Sequence, residues 1–580
     1  MINKFGSLAN FKPALFTILR SGKYSKETFI SDFIAGVIVA VIALPLAIAF
    51  GIASGVTPQQ GLITAIVAGI LTSLFGGSKF LIGGPTGAFI VIIFGIVSQY
   101  GITGLITATL IAGVLLLLMG LFKMGSIIKF IPYPIVVGFT SGIALVIFTT
   151  QLKDFFGFAI ESVPADFIPK WGAYFQYFST LQISEFLLAL SSLLIIIFWP
   201  KVTKIVPGSL IAILVGTFGA LFISYFTSVE FITIGSRFPE LGSGVPLPTL
   251  ALPKIDFATI RTMFQPALTI ALLCAIESLL AAMVADGVTG KRHDPNTELI
   301  GQGITNIITP LFGGIPSTGA LARTMANINN GGKSPLAGIV HGVILLLIYL
   351  FLMPYVIYIP LATLSAILII VAYNMSEWRT FTQMLKAEKT DVIVLLTTFF
   401  LTVLIDLTVA IEVGVILAVI LFVKRISETS SIKVIEQRSI EGSEEEELPY
   451  EVDMIEIPNG VEVYEIDGPF FFGLASKLDE IDTSTHKVVK VRIIRMRKVP
   501  FIDTTGINNL KNLFLRSKRE KIEMILSGVN DDVYQSLLNS GLIYEIGREN
   551  IFPHILMAIE RSKEIIGRVE KRSGFVNQPV

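Results

Sequence analysis

The sequence predicts an α-helical polytopic membrane domain of fourteen spans, arranged as 7+7 inverted repeats, followed by a small α/β domain in water. Three observations predict it. The 580 residues are 53% hydrophobic and only 15% charged, a composition that places most of the chain in hydrocarbon. The charge is uneven: residues 1–425 hold 24 of the 44 Lys and Arg, and residues 426–580 hold the other 20. Finally, LITAIVAGILTSLFGG (62–77) and LIGQGITNIITPLFGG (299–314) are two copies of one segment, identical at eight of sixteen positions without a gap.

Apolar runs able to cross, or nearly cross, about 30 Å of hydrocarbon lie near 31–53, 59–76, 85–98, 103–122, 131–150, 184–200 and 207–226. A second set follows near 263–285, 297–312, 322–330, 335–353, 355–374, 390–405 and 409–423. An odd number of spans per repeat turns the second copy upside down relative to the first. Loop charge agrees. With the N-terminus in the cytosol, the inner segments carry seventeen Lys and Arg, and the outer loops carry five: Lys153, Lys170, Arg237, Lys254 and Arg261. Lys79 and Arg323 fall in broken segments and are set aside. Both termini are therefore expected in the cytosol. The first thirty residues are basic but show no cleavage-site pattern, and read as a retained cytosolic segment.

The expected boundaries are a cytosolic N-terminal segment over 1–30, a transport domain over 31–425, a linker over 426–459, an α/β domain over 460–570 and a tail over 571–580. In the α/β domain, 461–467, 488–496 and 522–528 read as strands. Residues 473–481, 505–520, 530–540 and 552–567 read as helices. The linker's acidic run, Glu444 to Glu447, reads as solvated chain.

After LFGG each copy runs into a segment broken by glycine and proline, GGPTGAFIV (83–91) and IPSTGALARTMAN (315–327). Interrupted hydrophobic segments in corresponding halves mark the central binding site of a secondary transporter. The repeat offset sets Pro85 opposite Ala322 and Thr86 opposite Arg323. Two half-helix N-termini facing one space present unpaired N–H groups and positive dipole ends, a setting for an anion. Arg323 is costly at bilayer depth, so it faces a cavity or a partner; the alternative is a structural Arg tied to carbonyls.

Glu277 lies mid-span and is either a proton carrier or a counter-charge to Arg323. Ser278 is placed to donate to it. Asp286 reads as a solvated helix-end acid, Asn306 as an interhelical hydrogen-bonding residue, and His341 as a satisfied buried histidine. The Ser and Thr residues of 317–324 serve either an oxyanion or the broken backbone. Cys274 is the lone cysteine, so no intrachain disulfide forms. Cys/His metal spacing, a nucleophile elbow and a phosphate loop are missing from the sequence, so an enzyme is not expected. A clustered basic face for nucleic acid is missing too.

IESLLAAMVADGVTGKRHDPNTELIGQGITNIITPLFGGIPSTGALARTMANINNGGKSPLAG (276–338) resembles the SulP sulfate-permease family, also called the solute carrier 26 family. DFIAGVIVAVIALPLAIAFGIASGVTPQQGL (32–62) and GGPTGAF (83–89) extend the likeness. GPFFFGLASKL (468–478) and FIDTTGI (501–507) resemble the STAS domain that follows the membrane part in that family. The resemblance implies a core domain moving against a gate domain, with the third and tenth spans meeting at the anion. It places Pro85, Thr86, Gly87 and Ala88 at the third-span site and Ala322, Arg323 and Thr324 at the tenth. Glu277 falls at the position associated with cation or proton coupling.

The N-terminal half and NMSEW (374–378) look closest to enteric C4-dicarboxylate transporters, which implies proton-coupled uptake of succinate or fumarate. Cyanobacterial bicarbonate transporters of the family have an aspartate at Glu277 and a threonine at Ala281, so sodium coupling is not implied. Sulfate and bicarbonate remain open as substrates. A nucleobase permease and an uncoupled channel or STAS-linked scaffold are the other readings. The family further implies a homodimer in a bacterial inner membrane, with no cofactor beyond H+ as coupling ion. Asp503, Thr504, Thr505 and Gly506 occupy the loop that carries a phosphorylated residue in related antagonists of anti-sigma factors. This loop and a cytosolic protein partner at the STAS domain are the expected regulatory features, the alternative being a simple helix cap.

Overall fold

Glycines, prolines and N-cap residues divide the chain into its elements within two compact units, Met1–Leu417 and Ala418–Val580. The computed structural model describes residues 11–20, 22, 24–126, 132–160, 163–164, 166–203, 206–239, 256–405, 407–435, 457–475 and 489–574. The Glu444 to Glu447 run lies outside them.

The first unit is helical. Its main helices are α1 (Lys26–Ala53), α2 (Pro58–Phe75), α3 (Phe89–Leu121), α4 (Tyr133–Phe156), α5 (Ile183–Phe198) and α6 (Gly208–Phe226). The second set is α7 (Phe257–Thr289), α8 (Pro295–Ile308), α9 (Leu321–Asn329), α10 (Leu336–Val356), α11 (Leu361–Met375), α12 (Lys389–Leu404) and α13 (Leu407–Thr429). Among the described residues nine helical segments are long and apolar enough to cross a membrane. The spans expected at 85–98 and 103–122 are two helices that meet across a kink at Gly101 (φ 67, ψ −174) within the run labelled α3.

Local chemistry sets the starts. Ser25 caps α1 by accepting from Thr28 N. Thr57 and Gln60 form a capping box on α2, with Pro58 in its first turn. Asp256 caps α7, which begins at Phe257, six residues before the expected start at 263, because the first turns are too polar to register as span. Pro45, Pro266 and Pro354 lie inside α1, α7 and α10, as membrane helices tolerate. Helices α3 and α8 approach through glycine. A Cβ at Gly113 would lie 2.9 Å from Gly303 O, and one at Gly303 only 2.7 Å from Leu117 N. Small residues bring membrane helices to backbone contact.

The second unit is a five-stranded sheet in chain order: β3 (Ser431–Ile435), β4 (Val461–Asp467), β5 (Val491–Lys498), β6 (Glu523–Ser527) and β7 (Ile551–Phe552). β3 is antiparallel to β4 and the other pairs are parallel. Helices α14 (Thr504–Arg519), α15 (Asp531–Asn539) and α16 (Ile555–Gly574) cover it. Alternate residues supply two cores. Tyr464, Ile494 and Leu526 pack with Leu510 and Leu537; Val463, Ile493 and Ile525 pack with Ala558 and Ile559. Within the stretch read from sequence as linker, α13 continues to Thr429 and β3 pairs with β4. β3 is too short to stand out before its partner is known. Of the expected helix at 473–481, residues 472–475 are helical, and 476–481 lie outside the described residues.

Candidate anion site between paired half-helices

Gly83–Gly84 (β1) and Thr318–Gly319 (β2) form a two-stranded antiparallel ladder, pairing Gly83 with Gly319 and Gly84 with Thr318. The ladder joins the two broken segments, and α3 and α9 start just beyond it. Such irregular backbone is tolerated within a membrane only where protein buries it or water reaches it. Here protein laces it. Ala320 N donates to Ile82 O at 3.0 Å, Ile82 N to Thr324 Oγ1 at 3.3 Å, and Asn327 Nδ2 to Phe80 O at 3.0 Å.

Side chains from α7 and α8 hold the other strand. Ser278 Oγ accepts from Gly319 N at 2.9 Å and lies 2.7 Å from Thr318 Oγ1. Ser278 therefore clamps the ladder, and the sequence expectation that it donates to Glu277 is corrected. Asn306 accepts from Ser317 N at 2.9 Å and donates to Ser317 O at 2.9 Å. It ties a helix to the loop that follows it in its own repeat.

Glu277 is half-buried, and its Oε2 accepts from Thr86 Oγ1 at 2.9 Å. Among the described residues it forms no ion pair with Arg323, so the counter-charge alternative is not what the geometry holds. The side chain of Arg323 is 2% exposed; Nη1 lies 3.5 Å from Gly83 O, and Nη2 has no hydrogen-bond partner among the described residues. Gly84, at φ 156, faces that guanidinium, and a Cβ there would overlap Nη1. The ladder and the arginine thus require each other's shape.

Of the seven residues assigned to the site, Thr86 is half-buried and Ala322 exposed, while Pro85, Gly87, Ala88, Arg323 and Thr324 are buried. Thr86 and Ala322 are thus the accessible members of the set, and Arg323 is a buried cation. Thr324 spends its hydroxyl on Ala320 O at 2.8 Å and Ile82 N, so it serves the broken backbone.

The structure also places three other residues singled out in the sequence. Asp286 is not simply solvated: it accepts from His293 N at 3.0 Å and meets His293 Nδ1 at 2.7 Å, closing the turn between α7 and α8. His341 is fully buried against Gly69, and the Val39 backbone is its hydrogen-bonding neighbour. In the STAS unit, Asp503 accepts from Gly506 N at 2.7 Å and from Phe472 N at 3.3 Å, so it caps α14, while Thr504 and Thr505 are exposed.

Sequence reading missed Glu298. Fully buried, it accepts from Gly77 N at 2.9 Å, Ser78 N at 3.0 Å and Gln302 Nε2 at 3.0 Å. In the other direction Thr64 Oγ1 accepts from Ile315 N at 2.8 Å. Each repeat's second helix therefore holds the loop after the other repeat's LFGG. The signal was available: Glu298 directly precedes the copied LIG segment, where the first copy has Gly61.

A model of the sulfate permease family matches residues 29–398, and one of the STAS domain matches residues 454–558. YvdB of Bacillus subtilis (strain 168), a candidate sulfate transporter by its name, is 42% identical over 503 residues, which is 86% of this chain and 91% of YvdB. The bicarbonate transporter BicA of Synechocystis is 32% identical over 463 residues, 78% of this chain and 80% of BicA. The murine Solute Carrier 26 family member A9 anion transporter in its inward-facing state superposes with a TM-score of 0.84 at 19% identity, over 97% of this chain and 96% of that one. At that identity the likeness shows the fold. The matched family model, spanning well over half the chain and the very helices that carry the paired ladder, makes this chain a member of the sulfate permease family, with a C-terminal STAS domain.

Proposed function

We propose that the chain is a secondary active anion transporter, moving its substrate by elevator-like alternating access in a bacterial inner membrane with both termini cytosolic. The observation that carries the reading is the paired half-helices with a buried, incompletely partnered arginine behind them. A buried cation without a carboxylate is expensive. Two helix N-termini add positive potential to the same space. Together they favour a small anion beside Thr86 and Ala322, the accessible residues of the two broken segments.

The Thr86–Glu277 hydrogen bond supplies a coupling device. While Glu277 is ionised, the Thr86 hydroxyl points to it. Once Glu277 is protonated, that hydroxyl becomes available to donate to an anion, so proton and anion bind best together. Symport follows from this exchange of one donor. Glu277 is thus the proton-coupling residue, and Pro85, Gly87, Ala88 and Thr324 shape the backbone around the substrate.

The sequence reading favours C4-dicarboxylates. The names of YvdB and BicA favour an inorganic oxyanion, sulfate or bicarbonate, as the second reading. Uptake of labelled succinate, fumarate, sulfate and bicarbonate into proteoliposomes, with and without an inward proton gradient, decides between them. Gradient-driven uptake of one class is expected, and E277Q is expected to retain uptake but lose its acceleration by the gradient. Uptake by E277Q with an unchanged pH profile would refute the coupling role. Regulation through Thr504 or Thr505, whose exposed hydroxyls a kinase can reach, and a homodimer belong to the same reading.

A further inference from the structure

A cavity of about 400 Å³ lies apart from the paired ladder, where the end of α1 (Ala49 to Gly55) and Phe94 of α3 face α4 and α11. Its lining includes three cations, Lys153, Lys170 and Arg237, against one carboxylate, Asp154. Asp154 is already taken: Arg237 holds it through two hydrogen bonds of 2.8 and 3.0 Å. Among the described residues of the lining, this leaves Lys170 as a cation without a carboxylate partner. All three cations fall in segments that the loop-charge count places on the outer side.

Lys170 is the informative residue. It lies on the short helix Phe167–Gln176, whose buried residues are Lys170 and Tyr174. Tyr174 donates to Thr149 O at 2.9 Å, which pins this helix to α4. Lys170 is 2% exposed, yet it lines the cavity, and its ammonium has no carboxylate within ion-pair distance and no hydrogen-bond acceptor among the described residues. Lysine is almost never buried unless paired. Its surroundings leave the acceptor to be supplied from the cavity.

We infer that this cavity is a second anion-binding site, an outer antechamber in which Lys170, beside the Arg237–Asp154 pair, holds one small oxyanion or carboxylate before it reaches the half-helices. Binding there requires only the cavity and its charge; the antechamber role rests on the transport reading. The volume admits a sulfate, bicarbonate or C4-dicarboxylate with some of its water. Among the described residues, the charged and titratable groups around Lys170 are Asp166 on its own helix, Lys153 and Asp154 on α4, Arg237 on the short helix Ile234–Arg237, and Tyr174. Burial pulls Lys170 down to about 8, with Asp166 opposing. The site is therefore charged at neutral outer pH and loses its cation as pH rises toward 9.

Trp171 adjoins Lys170, and replacing the two other tryptophans (W199F and W378F) leaves it as a sole reporter in the full-length, detergent-solubilised protein. Titration with sodium sulfate, at ionic strength held by gluconate, is expected to give a saturable emission change at pH 7. K170M should weaken it at least tenfold, and so should pH 9 in the parent. K170R, which stays charged at pH 9, should bind equally at both pH values, a rescue that a merely structural lysine would not show. R323A should leave the titration unchanged.

A K170M protein that titrates like its parent overturns the proposal, as does R323A abolishing the signal. If emission does not respond, equilibrium dialysis with labelled sulfate decides: bound sulfate per chain falling by one in K170M supports the site, and an unchanged count overturns it. Lys170-dependent binding in a protein that fails to take up any anion in liposomes would remove the transport reading and leave the site standing.

Discussion

Glu277 and Arg323 lie in one part of the molecule without pairing, and this separation is the residue-scale fact on which the site depends. Each charge is handled by neutral groups instead: Thr86 donates to Glu277, and the Gly83 carbonyl faces Arg323. A direct ion pair would have neutralised both charges and removed the attraction for an anion. Gly84 makes the arrangement sterically possible, because only a residue without a Cβ leaves room for the guanidinium. G84A is expected to lower uptake at least tenfold while the protein still reaches the membrane, checked by transport rate and by quantity in the membrane fraction. An alanine variant transporting at the parental rate would show that the guanidinium can move aside at no functional cost.

The elements are cross-braced by repeat. Thr64 of α2 receives Ile315 N, and Glu298 of α8 receives Gly77 N and Ser78 N. The two loops differ in what they ask of the brace, since Glu298 satisfies two backbone donors and an amide and Thr64 one backbone donor. Each buried donor left unsatisfied costs about 1–3 kcal/mol. E298A should therefore destabilise the membrane unit by about 3 kcal/mol or more and T64A by about 1–2 kcal/mol. Thermal unfolding in detergent would show the order, and T64A as the more damaging change would contradict it. In the STAS unit the same economy appears in Asp503, one carboxylate that caps α14 and also receives Phe472 N.

Across the whole membrane unit, α1 is tied to the start of α10 through Asp32. This fully buried acid accepts from Lys333 N at 2.6 Å, Ser334 N at 3.0 Å, Ser334 Oγ at 2.5 Å and Tyr24 Oη at 2.9 Å. Tyr24 precedes the first span, and burial together with its bond to Asp32 pushes its phenol up to about 12. A raised pKa means that the neutral form carries the stabilisation, fully present below the unfolded value of about 10 and lost as pH rises through about 12. The thermal midpoint of the parent should thus fall more than that of Y24F between pH 10 and 12. Parallel curves for the two proteins across that window would remove the link.

The sequence by itself determined the helical membrane class, the repeat, the two breaks that face each other and most STAS strands, because hydropathy, copied segments and glycine or proline punctuation are local signals. Thr86, Glu277 and Arg323 were legible as candidates because a charge or a broken backbone in a long apolar run has few innocent explanations. Pairing was not legible. Whether Glu277 meets Arg323 or Thr86, whether Ser278 serves the acid or the ladder, and that Glu298 braces a loop 220 residues away are decided by distances between segments far apart in the chain. The β1–β2 ladder is two residues long on each strand, below any periodic signal. β3 likewise gains its identity only from β4. Lys170 reads as an outer-loop cation in the sequence, and only tertiary packing buries it against a cavity, because burial depends on which helices close around a short polar segment.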